Sequence, residues 1–328
     1  MLGYVIKRLV YMIPTLIGMS IIAFLIIQLP PGDYVTSLIA SMSDNGQNAD
    51  PAQIEAMRRA YGFDDPVWLQ YWKWISGILS RGDFGYSFEW NRPVADLIWE
   101  RMGSTLAISL ASLLFVWAVS LPIGIYSAMR RHSVGDYAFT FLGFIGLAVP
   151  NFILALTLMY VSYKFMGQSV GGLFSPEYVE APWSWDKVVD LMAHLWIPIV
   201  VIGTSGTAAL IRILRANLTD ELNKPYVVTA RAKGLSEFTL IMRYPVRIAL
   251  NPFISTIGWV LPALISGVTI TAIVLNLPMA GPLLLRALVS QDMYLAGSFL
   301  LLMSVLTLVG MLISDILLAV LDPRIRLQ

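Results

Sequence analysis

Six apolar stretches, each about as long as a lipid bilayer is thick, leave this chain very few possible folds. They run roughly over Leu9–Leu29, Ser104–Met129, Tyr137–Phe165, His194–Leu214, Asn251–Leu277 and Leu295–Val320. About 20 apolar residues in helical form cross ~30 Å of hydrocarbon. Inside lipid a backbone must satisfy its own hydrogen bonds, so each stretch is expected to be a helix. Charged residues make up 13% of the 328 residues, against about 25% in soluble domains. The expectation is an all-α polytopic membrane protein with six transmembrane helices. The first stretch follows Lys7 and Arg8, as a signal peptide might. It is longer than a signal core and ends in Leu29-Pro30-Pro31-Gly32-Asp33 rather than a small-residue cleavage site, so it reads as a retained span.

Basic residues set the expected orientation. Lys7, Arg8, Arg130, Arg131, Arg212, Arg215, Lys224, Arg231, Lys233, Arg243, Arg247, Arg324 and Arg326 fall on one side. The short loops opposite hold Lys164, Lys187 and Arg286. The positive side is cytoplasmic, which puts both termini in the cytoplasm and residues 30–103 outside. The organisation is then 1–29, a tail and first span; 30–103, an external helical segment; and 104–328, a core of five spans with a cytoplasmic loop over 215–250.

The external segment carries helix signals of its own. Asp50-Pro51 starts an expected helix over Pro51–Ala60, and Asp65-Pro66 starts a second through Leu79, with Trp68, Trp72 and Ile75 on one side. Pro93–Met102 reads as an amphipathic approach to the second span, with Val94, Leu97 and Ile98 on one face. This segment fits a cap on the bundle, a docking platform for an external partner, or both. Spans two to five are punctuated by Gly124, Gly143, Gly146, Gly203, Gly206, Gly258 and Gly267, and by Pro122, Pro150 and Pro262. Small residues let membrane helices approach closely, and proline bends them.

The chemistry the chain could perform is limited. There is no cysteine, so disulfides, thiolate metal sites and thiol nucleophiles are absent. No GxxxxGK[ST] motif is present to hold ATP, and the net charge of +1 gives no reason to propose nucleic acid as a partner. Gly203-Thr204-Ser205-Gly206 matches the GxSG of intramembrane serine proteases. Yet His194 precedes Ser205 by eleven residues, which is about 16 Å along a helix and beyond reach of a nucleophile. A self-contained channel or secondary transporter is the other alternative. It would place ionisable groups at mid-membrane, and Asp315 and Lys164 are thin candidates near span ends.

One polar gap stands out, at Asp220–Gly234. Pro225 suits a first helical position, and Gly234 suits the left-handed residue that ends a helix, with Leu235 as the accompanying apolar contact. Arg231 and Lys233 sit in the last turn, where cations oppose the dipole. A helix of about nine residues is marginal alone. On a helical wheel Tyr226, Val227 and Ala230 share one face, while Val228 and Ala232 lie nearly opposite. Protein is therefore expected on both sides, the chain's own bundle on one and a partner on the other. The wheel leaves open which face is which.

This loop resembles that of the inner-membrane permeases of peptide-type ABC importers, the dipeptide, oligopeptide and nickel family. The family's YVxTARAKGLS is matched from Tyr226 to Ser236, with Val228 standing where the general EAA loop has glutamate. The resemblance extends over nearly the whole chain. It includes the Lys7-Arg8-Leu9, Ile13-Pro14 and Pro31-Gly32-Asp33 opening, Tyr61-Gly62-Phe63-Asp64, Gly82-Asp83-Phe84-Gly85, Arg92-Pro93-Val94, Arg130-Arg131-His132-Ser133, Asp315 and Asp322-Pro323-Arg324-Ile325-Arg326. The chain departs from the family at Thr271–Pro282, where ExVFxxPGxG is usual, and at Arg243–Arg247.

The resemblance implies a type I ABC importer permease fold in a bacterial or archaeal cytoplasmic membrane. It implies a second homologous permease subunit, two cytoplasmic ATPases and an external solute-binding protein. This chain itself would bind no cofactor; ATP and magnesium would sit in the ATPases. The substrate would be a small peptide or an oligosaccharide. Tyr226, Val227, Val228, Ala230, Arg231, Ala232, Lys233 and Gly234 would couple to an ATPase, and helices around Pro150, Asn151, Gly258, Pro262 and Asn276 would line the path.

Overall fold

The computed structural model describes residues 2–29, 34–44, 55–56, 58–59, 64–168, 171–256 and 268–321. Nearly all of its secondary structure is helical. Four helices are long and apolar enough to span a membrane: α1 (Leu2–Gln28), α4 (Val94–Met129), α7 (Trp185–Leu222) and α14 (Met293–Leu321). Between them in chain order lie α2 (Tyr34–Asp44), α3 (Val67–Arg81), α5 (Val134–Ala148) and α6 (Asn151–Val161). After α7 come α8 (Pro225–Ala232), α9 (Glu237–Arg243), α10 (Pro245–Ala249), α11 (Asn251–Ser255), α12 (Thr269–Val274) and α13 (Ala280–Val289). A two-residue ribbon pairs β1 (Tyr86–Ser87) with β2 (Arg92–Pro93) antiparallel.

The third expected span is broken. Helices α5 and α6 meet at a 102° bend. Pro150 has no N–H to continue the helix, and a proline pushes the residue before it out of the helical region. Val149 accordingly lies at φ −84°, ψ 119°. Counting that pair as one span gives five among the described residues. The remaining expected span, Asn251–Leu277, has its centre outside them; α11 and α12 are its described ends.

The chain divides into two compact units. The first comprises residues 1–8, 105–278 and 307–328. Here small residues let helices come into contact. A Cβ added at Gly203 would lie 2.5 Å from Phe115 of α4, and one at Gly146 would lie 2.7 Å from Thr204 of α7. The Gly203–Gly206 stretch thus serves as a helix interface. His194 is engaged within its own helix, its Nδ1 lying 2.8 Å from the Asp190 carbonyl oxygen. Asp315 pairs with Arg8 at 3.2 Å, so its charge is matched at the end of the helix. Lys164 lies over the Tyr160 and Phe165 rings.

The second unit comprises residues 9–104 and 279–306. Val94, Leu97 and Ile98 are buried as their spacing requires, and the helix they begin runs without interruption into the second span. Helix α3 turns differently from expectation. Trp74 is buried against Phe24 and Met293, with Tyr71, Ile75 and Ile78 packed around them. Trp68 and Trp72 face outward instead. Four residues of the expected Pro51–Ala60 helix, 55–56 and 58–59, are described, and they are helical. Asp292 ties the ribbon down: it accepts from Ser87 Oγ at 2.5 Å, from the Glu89 amide at 3.3 Å and from the Leu295 amide at 3.2 Å.

Candidate functional site

The polar gap forms the helix its sequence calls for. Helix α8 covers Pro225–Ala232, with Pro225 at its first position and Lys224 extended before it at φ −74°, ψ 147°. Its end is closed by two backbone bonds, Lys233 N–H to the Thr229 carbonyl at 3.1 Å and Gly234 N–H to the Arg231 carbonyl at 3.0 Å. Gly234 then takes φ +80°, the left-handed conformation that glycine enters without steric cost.

One face of α8 is packed inward. Val227 is fully buried and Ala230 nearly so, in a cluster with Leu210, Leu214 and Leu218 of α7, Leu240 and Ile241 of α9, and Val246 and Ala249 of α10. Tyr226 and Leu235 close over its edge. Burying a valine side chain contributes roughly 1.5–3 kcal/mol. That is enough to hold a helix too short to persist by itself. The Tyr226 hydroxyl donates to Glu221 Oε2 at 2.8 Å. Burial first, and then that carboxylate, push the phenol pKa above its usual value, so Tyr226 is a neutral donor at any physiological pH.

The opposite face is bare. Val228 is 59% exposed, and Thr229, Arg231, Ala232 and Lys233 are exposed with it. An exposed β-branched residue beside an alanine, flanked by two cations, forms an apolar centre with a charged edge. Arg231 is held in place: its Nε donates to Glu237 Oε1 at 2.8 Å and an Nη donates to Glu237 Oε2 at 3.2 Å. This two-pronged bond joins α8 to the start of α9. Lys233 forms no such link among the described residues. The sequence identifies the helix and its two faces, and the packing assigns them: Tyr226, Val227 and Ala230 belong to the bundle, and Val228 and Ala232 face away from it.

The residues expected to line a path are divided. Pro150 and Asn151 lie at the bend between α5 and α6, Pro150 as the cap and Asn151 as the first residue of α6. Asn276 follows α12 in a left-handed conformation at φ +50° and is exposed. Helices α6 and α12 pack together, and beside Asn276 the Leu275 carbonyl accepts from the Gly172 amide at 2.8 Å. Gly258 and Pro262 lie outside the described residues.

Two features near the start of α7 were not legible in sequence. Lys187, on the first turn of α7, is buried, with its ammonium donating to the Ala181 carbonyl at 2.6 Å and lying over the Phe174 and Trp183 rings. Asp190, one turn on, accepts from the Ser175 amide and hydroxyl at 2.8 and 2.6 Å. A run of Trp, Lys and Asp in a loop carries no pattern that announces such a cage. Among the described residues, no group of three His, Asp or Glu side chains could hold a metal ion.

These features define an integral membrane subunit that presents one short helix from its bundle. Residues 120–327 match the family described as binding-protein-dependent transport system inner membrane component, and residues 1–110 match the N-terminal region of such membrane components. The chain belongs to this family and is a multi-pass inner-membrane permease component. It is 35% identical over 327 residues to the oligopeptide transport system permease protein AppB of Bacillus subtilis strain 168, covering 99% of this chain and all of the relative. It is 30% identical over 343 residues to the dipeptide transport system permease protein DppB of Escherichia coli K12, with 99% of both chains covered. A glutathione transport system permease protein, GsiC of Escherichia coli O1:K1, is 34% identical over 328 residues, again with 99% of both covered.

Proposed function

We propose that this permease forms half of the membrane channel of an ATP-driven importer for short peptides, and that α8 is where ATP hydrolysis in a separate subunit acts on it. One observation carries the reading: α8 buries Val227 and Ala230 in its own bundle while presenting Val228 and Ala232 to solvent. A helix joined to the bundle on one face and open on the other can transmit a push. The apolar centre and the Lys233 charge suit a protein cleft.

In this account the permease pairs with a homologous second permease. Both termini and α8 are cytoplasmic, consistent with the clustering of basic residues on that side. Two ATPases hold ATP and magnesium, and an external solute-binding protein delivers the substrate. Closure of the ATPases moves the two short helices together and opens the cavity outward; hydrolysis resets it. Pro150 and Asn151 stand at the bend that interrupts the third span, and an interrupted helix at membrane depth fits a lined cavity. Peptides are the favoured cargo because the relatives named above are an oligopeptide, a dipeptide and a glutathione permease. Oligosaccharides remain the second reading, on the departure from the family pattern at Thr271–Pro282.

A secondary transporter is disfavoured by the membrane charges. Asp315 is neutralised by Arg8, and Lys164 lies against aromatic rings, which leaves no ion-coupling group among them. The test is uptake of labelled dipeptides into liposomes. The account expects none with this permease alone, and ATP-dependent uptake once the second permease, ATPases and binding protein are added. Uptake driven by an ion gradient in the permease alone would overturn it.

A further inference from the structure

The antiparallel pair α5 and α7 lines a slot. The two helices are in register from Asp136 opposite Arg215, through Gly143 against Ala208, to Gly146 against Thr204. The slot has a volume of about 200 Å³, and Gly143, Phe144, Leu147 and Ile211 are among the residues that line it. Arg212 and Arg215 stand at one end. That end adjoins the start of α5, just after Arg130-Arg131-His132, so it is the water-facing end of the span. From Phe139 to Leu147 the apolar walls run about 12 Å deeper. Pockets that take drug-sized solutes are usually about 300–1,000 Å³. This slot is narrower and is graded from cationic to apolar.

The cations are not used up. Arg215 gives one Nη to Asp136 at 2.7 Å, while its buried Nε has no hydrogen-bond partner. Arg212 is exposed, and among the described residues no carboxylate pairs with it. The exposed Arg212 guanidinium and the part of Arg215 left in solvent therefore remain free to donate to an anionic oxygen at this end. The mouth therefore offers guanidinium donors at headgroup level above a channel that only hydrocarbon would fill.

We propose that this slot holds an anionic phospholipid, its phosphate against Arg212 and Arg215 and part of one acyl chain against Gly143, Phe144 and Leu147. Basic pockets at the membrane surface recognise anionic headgroups, and each arginine there contributes about a fivefold preference. This inference requires only that the chain spans the membrane. It is independent of how α8 is used.

The experiment is lipid retention, measured by native mass spectrometry on the purified importer complex. The complex is titrated with dioleoyl-phosphatidylglycerol, dioleoyl-phosphatidylcholine or inorganic phosphate. Phosphatidylglycerol is expected to be retained over phosphatidylcholine, with phosphate alone not retained. Arg212→Gln should lose about fivefold of that preference and Arg212→Lys should keep most of it. Gly143→Leu, whose first added carbon would lie 3.4 Å from Ala208 between the two helices, should narrow the slot and lower retention of the lipid in complexes whose mass shows every subunit still present. Equal retention of both lipids, or an unchanged preference in Arg212→Gln, would overturn the proposal. So would a Gly143→Leu complex that sheds the second permease but still retains phosphatidylglycerol, because the slot would then be a subunit contact.

Discussion

Replacing Gly234 with valine should disconnect ATP hydrolysis from transport without unfolding the permease. Gly234 holds φ +80°, and a Cβ added there would meet nothing within 4 Å. The penalty is therefore backbone strain alone, with no clash. A Cβ in left-handed backbone costs roughly 1–2 kcal/mol, and β-branching adds to it. The chain can relieve that strain by fraying the last turn of α8, which gives up the Lys233–Thr229 and Gly234–Arg231 backbone bonds. Exposed bonds of that kind are worth about 0.5–1.5 kcal/mol each. A strain of about 2 kcal/mol raises the frayed population roughly 30-fold. Val227 and Ala230 keep the first turn docked, so the bundle survives. The assay is ATP hydrolysed per dipeptide imported by the reconstituted importer, run beside thermal unfolding. Gly234→Asn should stay near wild type, because asparagine tolerates this conformation; Gly234→Ala should fall between, and Gly234→Val should lose several-fold in coupling with an unfolding midpoint lowered by only about a few degrees. Wild-type coupling in the valine variant, or an asparagine variant as impaired as valine, would refute the reasoning.

Other expectations follow from the same packing. Arg231→Ala should barely change thermal stability, since both Arg231 and Glu237 are about half exposed and such pairs are worth about 0–1 kcal/mol; a drop of several degrees in the unfolding midpoint would contradict this. Arg215→Met should destabilise by up to about 3 kcal/mol, at the low end for a broken buried pair, because Asp136 is buried while Arg215 keeps 31% of its side chain in solvent. Adding Asp136→Asn should recover much of that loss, as read by thermal unfolding in detergent. Burial pushes the Asp292 carboxyl pKa up, against its bonds from Ser87 and the Leu295 and Glu89 amides. A carboxyl raised in the folded state contributes stability that is full below the ordinary carboxylate range and lost as pH rises through its folded value. Hydrogen exchange at Ser87–Glu89, relative to intrinsic rates, should therefore quicken as pH rises through the folded-state value, and Asp292→Asn should remove that dependence.

The fold was legible wherever a single physical rule dominated. Length and apolarity identified four of the expected spans as single helices and a fifth as a bent pair, Pro225 and Gly234 defined α8, and the Gly203–Gly206 stretch announced a close helix contact. Val94, Leu97 and Ile98 at helical spacing announced a buried face. The misreadings came where two rules compete. Trp68, Trp72 and Ile75 were grouped on one side by helical spacing, yet of the three Ile75 packs, beside Tyr71 and Trp74, while Trp68 and Trp72 are exposed. Tyrosine and tryptophan are amphipathic, so composition does not say which of four neighbouring aromatics turns inward. Pro150 was read as a bend in one span; how far it bends depends on neighbours that satisfy the freed backbone groups, which no local pattern encodes. Asp292 was missed because its Ser87 and Glu89 partners lie 205 and 203 residues away in sequence, and Lys187 because its partner carbonyl lies in an irregular loop. At α8 the wheel supplied two faces, and only the positions of Leu214, Leu218 and Leu240 decided between them.

The central claim is that the outward face of α8 is occupied by the ATPase. The chain has no cysteine, so single cysteines can be introduced without a background. Maleimide labelling of Val228→Cys, Ala232→Cys and Val227→Cys would be measured in the assembled importer and again after the ATPase subunits are stripped away. The account predicts that Val228→Cys and Ala232→Cys are shielded in the complex and become reactive when the ATPases leave, while Val227→Cys stays shielded in both. Val228→Cys and Ala232→Cys labelling equally with and without the ATPases would contradict it.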